Sequence, residues 1–197
     1  MTKAVWGAAI RLAIIAILGL AVISCGTVAR DGTASSFLIV NRLQASSGGG
    51  TLRSDVVSTV DQSPTIFDDS AEVEFAIGMK DPGSLANPSA PSQANRITVN
   101  RYRVSYTRSD GRNKEGVDVP YTFDSAFTAT VPASGSTTFT MVRHQAKMEA
   151  PLAALALNGL VISTIAEVTF YGHDQTGRAV SATATMGISF ANFGDEN

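Results

Sequence analysis

The sequence predicts an all-β domain: a two-sheet antiparallel β-sandwich of about eight strands with one short crossover helix, placed after an N-terminal signal peptide. Three observations support this prediction. From residue 36 onward, apolar residues recur at every second position, which is the period of a half-buried strand. Clusters of Gly, Pro, Asn, Asp and Ser separate these segments. Only one segment has the start and stop signals of a helix.

Four strands are predicted in the first half of the domain, at residues 36–45, 55–61, 70–79 and 96–108. The third alternates most cleanly, with Glu72 and Glu74 between apolar residues at odd positions. In the fourth, the apolar positions change from odd (Ile97) to even (Tyr102). Because a period of two cannot change parity without an extra residue, we expect a β-bulge near Asn100 and Arg101.

The second half contains four more predicted strands, at residues 126–131, 137–145, 161–172 and 178–192. The first two flank a Pro- and Gly-containing turn at residues 132–136 and are predicted to form a hairpin. Residues 150–157 are the predicted crossover helix, since Pro151 suits a first helical turn and Asn158 with Gly159 suits a stop.

The N-terminus has the parts of an export signal. Lys3 and Arg11 supply positive charge, residues 12–23 are apolar, and Val22-Ile23-Ser24-Cys25 resembles a bacterial lipobox. We therefore predict a lipoprotein signal peptide over residues 1–24, lipidation of Cys25, a tether over residues 25–35 and a domain over residues 36–197. The alternative is an uncleaved anchor, in which Arg11 would lie inside the spanning helix at a cost of about 2–3 kcal/mol.

The predicted lipid determines location and partners. Gly26, after the cysteine, lacks the acidic side chain associated with inner-membrane retention, which favours the periplasmic face of the outer membrane. Without Lys3 and Arg11, 13 of the 15 basic residues remain against 17 acidic ones, a net charge of about −4. We expect the membrane and another envelope protein as partners, and no nucleic acid.

Together, the lipobox and the strand pattern of residues 36–193 resemble bacterial envelope lipoproteins that carry an immunoglobulin-like or fibronectin-III-like domain. The cysteine pair and core tryptophan of true immunoglobulin domains are absent, since Cys25 is the only cysteine and Trp6 lies in the signal peptide. The resemblance implies binding, adhesion, spacing or assembly, and the fold does not choose among them.

The sequence contains few candidates for a catalytic or metal site, and we expect neither enzymatic activity nor a cofactor. His173 adjoins Asp174, but neighbouring residues of an extended chain point to opposite faces, and His144 has polar neighbours typical of a surface. Asp68, Asp69 and Asp124 are candidates for an oxygen-ligand calcium site. The alternative for all three carboxylates is hydrogen bonding to turns of their own backbone.

Positive charge is concentrated in one segment. Residues 96–114 carry a net charge of about +5, from Arg96, Arg101, Arg103, Arg108, Arg112 and Lys114 against Asp110. This basic stripe is either a surface for an anionic partner or a solvated strand face. We expect a non-enzymatic structural or protein-interaction module. The alternative is a small-ligand or glycan-binding lipoprotein of an uptake or secretion system, which the absence of Trp after residue 24 disfavours.

Overall fold

The computed structural model describes residues 34–131 and 136–194, so the predicted signal peptide and Cys25 lie outside the described residues. The described chain is mostly β, as predicted. Its strands are β1 (Ser36–Ala45), β2 (Thr51–Asp55), β3 (Ser58–Val60), β4 (Ser63–Thr65), β5 (Asp69–Met79), β6 (Gly83–Ser84), β7 (Asn87–Pro88), β8 (Ile97–Thr107), β9 (Phe123–Val131), β10 (Thr137–Val142), β11 (Ile162–Asp174) and β12 (Ala179–Ala191). The helices are short: α1 (His144–Lys147) and two 3₁₀ helices, Gln93–Asn95 and Leu152–Leu157.

Eight of these strands form two principal sheets. One has the order β1-β5-β10, and the other has the order β2-β12-β11-β8-β9 and curls into a half-barrel. The predicted antiparallel pairing is wrong at one place, because β2 runs parallel to β12. Residues 46–50 carry the chain from the first sheet to the second, where β2 lies along β12 in the same direction.

The β-bulge in β8 lies where the parity change predicts it. The register of β8 against β9 shifts between Val99 and Arg101, and its register against β11 shifts between Tyr171 and Gly172. The extra residue lets apolar side chains on both sides of the bulge enter the same core. A β-carbon on Gly172 would collide with the carbonyl oxygen of Thr98 and lie 2.9 Å from the α-carbon of Val99, so this close approach of two strands requires glycine.

Aromatic side chains from both sheets meet in the core. Phe75 of β5 and Phe139 of β10 lie edge-on against Phe170 of β11, with ring centroids 4.9 and 5.3 Å apart. Tyr102 of β8 contacts Phe139 at 4.9 Å. Such edge-to-face pairs add about 0.5–1.5 kcal/mol each beyond the burial of their area. Aromatic rings of the two sheets therefore pack directly against one another in the core.

Two predicted strand boundaries are wrong, because hydrogen bonds to carboxylate side chains end the strands at other residues. Residues 55–61 are not one strand: β2 ends at Asp55, whose carboxylate accepts hydrogen bonds from the Ser58 hydroxyl and the Phe193 amide. The strand predicted to reach residue 145 ends at Val142, since the Asp68 carboxylate accepts the backbone N–H of His144 and the chain turns into α1.

Two predicted connections also differ from the structure. β9 and β10 do not form a hairpin, because β9 pairs with β8 and β10 pairs with β5 in the other sheet. The predicted helix at residues 150–157 is the 3₁₀ helix Leu152–Leu157, which begins after Pro151 and connects the two sheets together with α1. Its buried side chains are Leu152 and Leu155.

The strands define two ends of the domain. At the end where β1 begins, the Ser36 hydroxyl donates to the Asn95 carbonyl at 3.4 Å and the Asn95 side chain donates to Ser35 at 2.6 Å. We call this the N-terminal end. At the far end, Ser54 of β2 donates to Asp69 of β5 at 2.5 Å. Within the described residues, no helix is both long enough and apolar enough to cross a membrane.

Candidate functional site

The middle of the predicted basic stripe lies on the outer face of the five-stranded sheet. Asp124 of β9 forms an ion pair with Arg101 at 3.2 Å and another with Arg103 at 2.9 Å. The two arginines point outward because Tyr102 between them points into the core. Glu74 lies on the other sheet and pairs with Arg42 at 3.2 Å. The two arginines of the outer face thus share a carboxylate from the neighbouring strand of the same sheet.

Tyr171 of β11 completes this outer face. The guanidinium carbon of Arg101 lies 4.2 Å from the centre of the Tyr171 ring, and the two residues are paired across β8 and β11. A cation–π contact at an exposed site contributes about 0.5–1 kcal/mol. The arginine side chains remain 52% and 53% exposed. We call Arg101, Arg103, Asp124 and Tyr171 the arginine–tyrosine face.

The far-end members of the stripe form a separate group. Arg108 and Arg112 both pair with Asp110, at 2.6 and 2.9 Å. Hydrogen bonds from the side chains of these two arginines hold the pKa of Asp110 far below its ordinary value. Four of the six basic side chains therefore share two carboxylates. The stripe is not one continuous surface, because its members divide among the outer sheet face and the two ends.

Arg96 and Lys114 have no carboxylate partner within the described residues, and they lie at opposite ends of the domain. Arg96 precedes β8 at the N-terminal end, whereas Lys114 lies in the loop after β8 at the far end. Arg96 lines an open hollow of about 440 Å³. Its lining residues are Gln93, Ala94, Arg96, Thr98, Thr130 and Gln175. We call this feature the N-terminal hollow.

Strand pairing assembles the N-terminal hollow from distant parts of the sequence. Thr98 lies opposite Thr130 of β9 on one side and opposite His173 of β11 on the other. Gln175 reaches back across the sheet, and its amide lies 3.4 Å from the Arg96 carbonyl and 3.5 Å from the Thr98 hydroxyl. Of these residues, sequence reasoning identified only Arg96 as a candidate. The alternation places Thr98 outward, but it does not indicate which strands become its neighbours.

The structure does not bring the three candidate calcium ligands together. Asp124 is paired with two arginines, as described above. Asp69 accepts a hydrogen bond from the Ser54 hydroxyl and forms an ion pair with Lys147 at 2.9 Å. Asp68 lies against His144. Among the described residues, no group of three or more His, Cys, Asp or Glu side chains could hold a metal ion. Each of these carboxylates faces a basic side chain of its own chain instead.

His144 has a carboxylate partner that the sequence did not indicate. Its Nδ1 atom lies 2.9 Å from Asp68, which is 76 residues away in the chain. Partial burial alone would raise the pKa of Asp68, but hydrogen bonds from the His144 backbone and ring lower it overall. Within the described residues, no Ser or Thr hydroxyl is hydrogen-bonded to His144. The pair therefore orients an imidazole without placing a nucleophile beside it.

The strand predicted over residues 161–172 extends further than expected. β11 continues through Asp174, whose carboxylate accepts hydrogen bonds from the backbone N–H groups of Thr176 at 2.8 Å and Arg178 at 2.9 Å. Burial by itself would raise the pKa of Asp174, but these bonds and the Thr176 hydroxyl lower it. Asp174 thus acts on the turn, and it does not orient His173.

Two features of one sheet form the candidate site: the arginine–tyrosine face and the N-terminal hollow. No family model, no curated protein and no solved structure matches this chain. The side chains themselves therefore indicate what the site can do. Guanidinium, amide and hydroxyl groups donate hydrogen bonds and present positive charge, which suits acidic or phosphorylated ligands.

Proposed function

We propose that this chain is a lipid-anchored protein of the bacterial cell envelope whose immunoglobulin-like β-sandwich acts as a structural or protein-interaction module without enzymatic activity. The lipobox pattern ending at Cys25 supports the anchor. Eight principal strands in two sheets joined by core rings support the sandwich. Gly26 after the cysteine supports placement at the periplasmic face of the outer membrane.

The arginine–tyrosine face is the observation that carries the interaction role. Arginine and tyrosine are enriched at protein interfaces, where they supply much of the binding energy. Here Asp124 and the Tyr171 ring already hold Arg101 in place, so less side-chain freedom is lost when a partner binds. The exposed guanidinium groups suit a partner protein with an acidic surface.

Charge reversal of the face tests this role. Envelopes from cells expressing the full chain are cross-linked, and partners recovered with wild type are compared with those of Arg101→Glu/Arg103→Glu and of Arg108→Glu/Arg112→Glu. We expect the first double variant alone to lose the partner, with a larger loss at low salt because exposed charges are screened over about 8–10 Å at physiological ionic strength. Equal loss in both variants, or none in the first, would contradict the proposal.

The anchor needs its own experiment. Cys25→Ser in the full chain should abolish acyl labelling and leave the precursor uncleaved. It should also change how the protein distributes between the membrane and soluble fractions of the cell. A variant that retains acyl labelling would show that lipidation occurs elsewhere or not by this route. Ser24→Ala is a suitable control, because alanine is also small and should permit cleavage and lipidation.

A second candidate function is the binding of a small ligand or glycan. The N-terminal hollow supports it, since small-molecule sites are typically about 300–1,000 Å³ in volume and contain a few placed polar groups. The two functions are compatible, because the hollow and the arginine–tyrosine face occupy different parts of the same sheet.

A further inference from the structure

Arg96 differs from the four other arginines of the basic stripe in having no carboxylate partner among the described residues. Arg101 and Arg103 share Asp124, and Arg108 and Arg112 share Asp110. The Arg96 side chain is exposed and has no ion pair within the described residues. Its charge is therefore available to a ligand.

The groups around Arg96 are donors with unused capacity. Thr98 accepts the Gln175 amide at 3.5 Å through its hydroxyl oxygen, which leaves its proton available. Thr130 and Gln93 line the hollow without a side-chain hydrogen bond of their own in the described part of the chain. No carboxylate is among the lining residues. Asp174 lies beside Gln175 in the chain, but its side chain is buried, and its Oδ1 atom is bonded to the backbone of its turn.

The position of the hollow brings it near the start of the domain. Asn95, next to Arg96, is hydrogen-bonded to Ser35 and Ser36, where the described domain begins. If Cys25 carries lipid, the nine residues 27–35 reach at most roughly 30 Å from the membrane surface. The hollow then lies within reach of lipid headgroups.

We propose that the N-terminal hollow binds a phosphate ester, with the phosphate on Arg96 and the hydroxyl-bearing part of the ligand against Thr98, Thr130 and Gln175. A guanidinium group matches phosphate oxygens with two parallel hydrogen bonds. The volume of about 440 Å³ holds a phosphate together with a glycerol or a single sugar. The ester comes either from a lipid headgroup or from a soluble molecule. The lipid source rests on the proposed anchor, whereas the soluble source does not.

The soluble arm of the test uses the full chain in neutral detergent, titrated with glycerol 3-phosphate and followed by NMR. We expect saturable shifts of the Gln175 side-chain amide and of Thr98 and Thr130. Arg96→Gln should weaken binding at least tenfold. Lys114→Gln, which removes a positive charge that also lacks a carboxylate partner but lies outside the hollow, should leave binding unchanged.

The lipid arm uses the full chain in bilayer discs of phosphatidylcholine alone or with added phosphatidylglycerol. Shifts at Gln175 that need phosphatidylglycerol and disappear in Arg96→Gln identify the headgroup as the source, and shifts seen only with glycerol 3-phosphate identify a soluble ester. The proposal is overturned if neither arm gives shifts at the hollow, or if Arg96→Gln and Lys114→Gln lose binding equally. A wild-type chain that carries no acyl label would overturn only the proposed anchor, since the soluble arm does not depend on it.

Discussion

Lys147 places its ammonium group against both carboxylate oxygens of Asp69, at 3.0 and 2.9 Å, with only 1% of its side chain exposed. The same ammonium group donates to the Asp55 carbonyl at 2.7 Å, and the second oxygen of Asp69 also accepts the Ser54 hydroxyl. These bonds tie α1 to β2 in one sheet and to β5 in the other. A buried charge pair thus closes the far end of the domain.

Lys147→Met should destabilise the domain by about 3–5 kcal/mol, because removing one partner leaves the other charge buried and unpaired. Urea unfolding of the full chain followed by circular dichroism measures the loss. Lys114→Met is the matched control and should change the free energy of unfolding little, since Lys114 is exposed and has no ion pair within the described residues. If the two variants were similarly stable, Lys147 would stabilise the domain through the packing of its side chain and not through its ion pair.

The deficit of Lys147→Met should grow as pH rises. Burial raises the pKa of Asp69 above its ordinary value even with Lys147 present, and removal of the ammonium group takes away a group that lowers it. A carboxyl with a raised native pKa favours folding while protonated, and this contribution is lost as pH rises through that pKa. We expect wild type and variant to be closest below about pH 4 and furthest apart near neutrality. If the difference in the free energy of unfolding between wild type and Lys147→Met did not depend on pH, the loss would not come from the ionised Asp69 carboxylate.

Tyr106→Phe should cost about 0.5–1.5 kcal/mol at neutral pH, because the Tyr106 hydroxyl is buried and donates to the Met141 carbonyl at 2.7 Å. Burial also raises the pKa of Tyr106 well above its ordinary value. The neutral phenol therefore favours folding below the unfolded pKa of about 10, and this contribution is lost at higher pH. Thermal melts across alkaline pH should show that the melting temperature of the variant falls less than that of wild type. Tyr121→Phe, at an exposed tyrosine, should follow wild type.

Gly172→Ala should destabilise the domain by about 1–3 kcal/mol, since the new methyl group would collide with backbone atoms of Thr98 and Val99 that cannot rotate away. Gly187→Ala is the control in the same sheet, where the nearest atom is a Thr51 side-chain oxygen at 3.4 Å. Denaturant midpoints of the two variants make the comparison. Equal midpoints would mean that the bulge relaxes to accept a side chain.

Asp124→Asn should raise the positive charge of the arginine–tyrosine face while changing the free energy of unfolding by less than about 1 kcal/mol, because exposed ion pairs contribute little to folding. If the face binds an acidic partner, the variant should bind more tightly at low salt. Ser125→Ala, at the next position, is the control. Weaker binding in Asp124→Asn would indicate that the carboxylate orients the arginines more than it neutralises them.

Local pattern was enough to predict most of the principal strands and the bulge, but it did not predict β2. The period of two is a property of each segment by itself, so the all-β class and most strand positions follow from it. The parity change after Val99 likewise predicts the bulge, because it needs no knowledge of the neighbouring strand. Prediction failed where a distant side chain holds the backbone, as Asp68 does at the start of α1.

The candidate site was predictable only in part. The charge of residues 96–114 identified Arg96, Arg101 and Arg103, but their different surroundings depend on β9 and β11. Gln175 reaches the hollow from 79 residues away, and no local pattern marks it as a neighbour of Arg96.

The sequence by itself determined the alternation of inward and outward side chains and the apolar N-terminus that ends at Cys25. Only the tertiary structure decided that β9 and β10 separate into different sheets, that β2 runs parallel to β12, and that Lys147 meets Asp69 across 78 residues. The physical reason is that alternation depends on backbone geometry within one strand. Sheet membership, register and charge pairing depend on which buried faces meet, and that is settled only when the whole core packs.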